Sequence, residues 1–123
     1  MISFNDIEKL FSSDLQKEFC IEIEFSVKEN ERYNSCWMGK MPDENNPEKE
    51  IYWFGLTEDG GEGYDYENFE DFSSAPVFEG KSMKEIWDKI EIISIDGLDP
   101  EKRILVYIIF VRMTCLHYII NQS

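Results

Sequence analysis

Cys20 to Lys28 reads CIEIEFSVK, and its alternation is without a fault. Ile21, Ile23, Phe25 and Val27 fall on one side, while Glu22, Glu24, Ser26 and Lys28 fall on the other. A period of two is that of a β-strand, whose successive side chains point to opposite faces. One apolar and one polar face is what an antiparallel sheet shows when only one of its sides is covered. Such a sheet needs helices over its apolar side, and the flanking segments supply them.

Upstream, SFNDIEKLFSSDLQKEF (Ser3–Phe19) sets Phe4, Ile7, Leu10, Phe11, Leu15 and Phe19 along one helical stripe, with Ser3 and Asp6 as its N-terminal cap. A break is expected near Ser12-Ser13. Downstream, Glu29-Asn30 turns the chain and RYNSCWMGKM (Arg32–Met41) returns beside the first strand. PDENNPEKE, Pro42 to Glu50, is a loop, and IYWFGL (Ile51–Leu56), apolar on both faces, reads as a central strand. Gly55 within it suggests a bulge or a close approach. Tyr64 to Phe69 is the arm returning from a glycine-rich turn, and Pro76-Val77-Phe78 is a short edge strand. Ser82 and Glu85 form a capping box before Met83, Ile86, Trp87 and Ile90, the spacing of a short helix, and EIISI (Glu91–Ile95) is a further strand. Asp99-Pro100-Glu101 then caps a long helix to about Asn121. The order α-β-β-β-β-α-β-α defines a single α+β domain over residues 1–123. Its antiparallel sheet of four to five strands is packed by an N-terminal, a short middle and a long C-terminal helix.

The length of 123 residues suits one domain with a real core. Its formal charge of −14 argues against direct binding to DNA, RNA or anionic lipid and favours a basic partner. The excess is local: Glu50 to Gly80 holds nine acids and no Lys or Arg. Cys20, Cys36 and Cys115 are widely spaced with no CxxC pair. With no secretory signal at the N-terminus, they are read as packing thiols of a protein in the reducing cytoplasm. Ile104 to Ile120 is apolar but contains Arg112 and His117, and is read as a buried helix rather than a membrane span.

The acidic stretch EDGGEGYDYENFEDF, Glu58 to Phe72, invites three chemistries. As an EF-hand starting at Asp59 it puts Gly61 and Gly63 where oxygen ligands belong, so no metal is assigned. Asp65 and Glu67, at i and i+2, could pair as acid and base, yet nothing beside them resembles a nucleophile or an oxyanion device. His117, the lone histidine, lies in the most apolar segment and is read as a core residue. No catalytic or cofactor residue is therefore assigned. Trp53, Phe54 and Phe69 are read as sheet core. Glu58, Asp59, Glu62, Tyr64, Asp65, Tyr66, Glu67, Glu70 and Asp71 are read as a partner-binding surface, with rings for contact area and acids for steering a basic protein.

The stretch IYWFGLTEDGGEGYDYENFEDFSSAPVFEGKSMKEIWDKIEIISIDGLDP, Ile51 to Pro100, is about 40% of the chain. In its acidity and its lack of a catalytic constellation the chain resembles the immunity proteins of bacterial toxin systems, including contact-dependent growth inhibition. That resemblance implies an inhibitor that neutralises a basic toxin domain, most often a nuclease. Two other readings stay open on the same residues: a nucleic-acid mimic, and a small metal-dependent hydrolase acting through the acidic loop.

Overall fold

A computed structural model describes residues 2–12 and 20–122, with backbone alone for 114–122. Helix α1 (Phe4–Ser12) is followed by strands β1 (Ile21–Val27), β2 (Cys36–Pro42), β3 (Glu50–Gly55) and β4 (Gly63–Tyr66). Helix α2 (Phe69–Ser74), strand β5 (Ile90–Ile95) and helix α3 (Pro100–Gln122) complete the chain. The five strands form one antiparallel sheet in the order β4-β3-β2-β1-β5. The expected α+β domain and its element order are both present. The Leu15 and Phe19 half of the expected first helix lies outside the described residues.

The alternation of β1 sets the sheet's two faces. Ile21, Ile23 and Phe25 pair with Lys40, Met38 and Cys36 of β2, and all six are buried. The same parity runs on through Phe54 and Tyr52 of β3. Ile7, Leu10 and Phe11 of α1 and Phe69 and Phe72 of α2 close over this inner face. Phe54 and Phe72 stack at 4.3 Å between ring centroids, and Phe11 meets Phe69 and Phe72, each at 5.5 Å. Offset aromatic packing of this kind adds to the burial of the rings themselves.

The middle of the chain departs from expectation in three places. The capping box forms, with Ser82 N–H donating to Glu85 Oε1 and Glu85 N–H to Ser82 Oγ, both at 3.1 Å. It opens a turn and a single 3₁₀ turn at Trp87–Lys89, not a helix of two or three turns. β5 follows directly, from Ile90. The middle helix is α2 instead, capped by Asn68, whose side chain accepts from Asp71 N–H at 2.7 Å. Pro76–Phe78 is not a strand: Phe78 makes one isolated bridge, to Lys81. The sheet irregularity falls between β1 and β5 at Glu24/Phe25, not at Gly55.

Over its described side chains, up to Met113, the C-terminal helix is also not the buried one expected. Ile104 and Tyr107 pack against the core, whereas Leu105, Val106, Ile109 and Met113 are each about half-exposed or more. Its start is pinned by Asp96, which accepts from Glu22 N–H at 2.9 Å and from Arg103 Nε at 3.0 Å. Among the described residues no helix is long and apolar enough to cross a membrane.

Candidate docking surface

The β3–β4 hairpin turns through Leu56–Glu62. Asp59 Oδ1 accepts from Gly61 N–H at 2.8 Å and from the Thr57 hydroxyl at 2.7 Å, and Gly60 takes a left-handed φ of 75°. The Gly61 N–H, and after it Thr57, hold the Asp59 carboxyl below its ordinary range. Asp59 is thus the clasp of the turn.

The hairpin divides the acidic and aromatic residues among several roles. Glu62 is ion-paired with Arg32, so its charge is already matched. Asp71 accepts from Asn68 Nδ2 at 3.0 Å at the start of α2, and Glu70 stands beside it in the first helical turn. Tyr66 is half-buried, with its ring 6.3 Å from both Phe54 and Phe72, and burial followed by the neighbouring Tyr64 pushes its phenol up. Tyr64 lies on the same inner parity but at the sheet edge, 39% exposed. Glu58, Asp65 and Glu67 are exposed.

Asp65 is the hairpin acid that points to the sheet's outer face, and its cross-strand partner is Trp53. Trp53 was expected in the core, but it has the opposite parity to Phe54 and Tyr52. It therefore stands on the face that no helix covers among the described residues. The register aligns Asp65, Trp53, Gly39 and Glu22 as one rung across four strands. The adjacent rung on that face is Gly63, Gly55, Trp37 and Glu24. The Trp53 ring spreads over both central glycines. Its Cζ2 lies 2.9 Å from where a Gly39 Cβ would stand, and its Cζ3 lies 3.8 Å from the same point on Gly55. Trp37 is 40% exposed beside it. At ~4.8 Å per strand, the backbones of Asp65 and Glu22 stand about 14 Å apart, one on each side of this aromatic bay. The clue was in the sequence: the apolar parity of β1, carried across the register, puts Trp37 and Trp53 outside.

A second polar feature lies beneath the inner face. Lys40 is 1% exposed, and its Nζ donates to the Phe11 carbonyl at 2.7 Å and pairs with Glu50 Oε2 at 2.9 Å. Tyr52 Oη donates to Glu50 Oε2 at 3.4 Å. Burial, then the Glu50 charge, pushes the Tyr52 phenol up to about 12. These groups line a cleft of about 410 Å³ with Glu48, Lys49 and Glu67. The Phe11 carbonyl belongs to the last turn of α1, where backbone acceptors have no partner within the helix, so Lys40 fastens that end to the sheet. Among the described residues no buried side-chain nitrogen or oxygen lacks a partner, and no three His, Cys, Asp or Glu residues converge as a metal site. Of the cysteines with described side chains, Cys20 is exposed and Cys36 buried, and both are free thiols. Burial, with Glu62 adding to it, pushes the Cys36 thiol up to about 11.

The chain matches no protein-family profile, no curated protein and no solved structure.

Proposed function

We propose that this chain is a cytoplasmic immunity protein that binds and neutralises a basic toxin domain of the nuclease type. Its docking surface is the outer sheet face joined to the exposed acids of the β3–β4 hairpin. The observation that carries the reading is that Trp53 lies on a rung between Asp65 and Glu22, with Trp37 on the adjacent rung next to Glu24, on a face without a helix over it among the described residues. Nucleases present basic clefts because their substrate is a polyanion. Carboxylates at the rim of the bay speed capture of such a cleft, and a half-exposed indole supplies the desolvated anchor that slows release. Arg is the fitting counterpart, since its guanidinium can stack on an indole while pairing with Asp65 or Glu22. A nucleic-acid mimic is served less well, because it needs acids in regular phosphate-like rows and here rings and glycines separate them.

The first test is whether a reading frame beside this one encodes a toxin domain; such a domain, made catalytically inactive for binding and active for a growth-protection assay, is then the probe. Trp37→Ala and Asp65→Lys should each weaken the complex by at least ~30-fold, the effect of losing a hot-spot residue. Association should slow as salt rises. If the double variant, folded by circular dichroism, still protects cells fully, the outer face is not the docking surface.

A further inference from the structure

From Ile104 to Val111 helix α3 is apolar around its whole circumference, and a helix of that kind expects cover on both sides. The domain covers one. Ile104 and Tyr107 face the core, while Val106, Ile109 and Met113 recur on the opposite side at the three-and-four spacing of a helix-pairing seam. They are 55%, 48% and 65% exposed, and Leu105 and Ile108 flank them at 55% and 39%. At about 200 Å² for a large side chain this amounts to roughly 500 Å² of apolar surface, near the upper end of what a monomer leaves open.

We infer that this face is covered by the same face of a second copy, the two α3 helices packing across a two-fold axis. Area selects that occupant. Together the two faces would cover about 1,000 Å², the threshold for a specific interface, so a symmetric pair needs no further surface to reach it. The dimer leaves the Trp37 and Trp53 bay open, and it does not rest on the immunity reading.

Sedimentation velocity decides it, run between about 1 and 200 μM, the range in which interfaces of this size form and dissociate. The expected species has twice the 14.6 kDa of one chain. Val106→Glu with Ile109→Glu should yield the monomer with an unchanged far-ultraviolet spectrum. Ile109→Ser, a milder change that leaves Ile104 and Tyr107 in place, should weaken the dimer at least tenfold. A wild-type chain that stays monomeric throughout overturns the inference. So does a dimer that survives the double substitution, which would place the contact elsewhere. Flotation with phosphatidylcholine vesicles as a monomer would overturn it in favour of a lipid surface.

Discussion

Replacing Lys40 by Met tests how the first helix is held to the sheet. Met has a similar length and carries no charge, so the substitution removes the ammonium with little change of volume. It leaves the Phe11 carbonyl without its 2.7 Å donor, and the Glu50 carboxylate, 12% exposed, with only the 3.4 Å bond from Tyr52. Removing one member of a buried pair costs about 3–5 kcal/mol, most of it from the uncompensated charge left behind. Against a total of about 5–15 kcal/mol this is a large share. With an unfolding entropy near 0.26 kcal/mol/K for a domain of this size, the melting temperature should fall by roughly 15 °C. Removing the second charge as well, in Lys40→Met with Glu50→Leu, should return stability to within ~2 kcal/mol of the parent. Urea unfolding followed by tryptophan fluorescence, arranged as a double-mutant cycle, reads both numbers. Should Lys40→Met cost less than ~1 kcal/mol, or should the two substitutions simply add, Lys40 and Glu50 are not a buried coupled pair and the reasoning fails.

The same geometry sets further expectations. Tyr52 is held neutral well above the ordinary phenol range, so the stability it contributes is full below pH 10 and is lost as pH rises toward 12. Tyr52→Phe should flatten the alkaline limb of the stability–pH curve, and an unchanged limb would show that this phenol is not its source. The Cys36 thiol, pushed up to about 11, should react with a thiol reagent at pH 8 at least ~100-fold more slowly than an ordinary cysteine. A Cys20→Ser, Cys115→Ser variant isolates that rate, which should keep rising about tenfold per pH unit and level off only near pH 11. Gly39→Ala puts a Cβ 1.9 Å from the Ile21 carbonyl oxygen and 2.9 Å from the Trp53 ring, and should destabilise by ~3 kcal/mol or more in chemical denaturation. Ser82→Ala removes the capping box and should cost about 1 kcal/mol in the same assay.

How far the sequence could be read depended on how local each signal was. β1 announced itself because Ile21 to Val27 alternate on a half-covered sheet, and α3 because Asp99, Pro100 and Glu101 mark a start that propensity alone would leave open. The spacing of Met83, Ile86, Trp87 and Ile90 correctly marked residues that turn inward: Met83, Ile86 and Ile90 are buried and Trp87 is partly so. It could not tell a helix from a turn running into a strand that presents the same side. α2 was hidden because FEDFSS spans six residues, too few for a period, at the end of an acidic run that resembles a hairpin arm. Trp53 was misplaced because IYWFGL is apolar on both faces, and only pairing with β2 tells its two sides apart. Lys40 was invisible for a related reason. A lysine in a strand looks solvent-facing until Phe11 and Glu50, distant in sequence, are brought around it. In the acidic hairpin the count of charges was legible, while their division into clasp, ion pair, helix cap and free acid needed the fold.

β4 closes one side of the sheet and is only four residues long, so part of β3 and all of β4's outer edge offer backbone groups to any passing strand. Short edge strands bearing charge are how natural sheets resist growing into fibrils. Asp65 within β4 and Glu67 just beyond it would oppose the same residues of an incoming copy. The acidity that would draw a basic partner therefore also insulates the free protein against self-templating. Because that insulation is electrostatic, it should thin at ~1 M salt, where charges more than about 3 Å apart no longer sense one another.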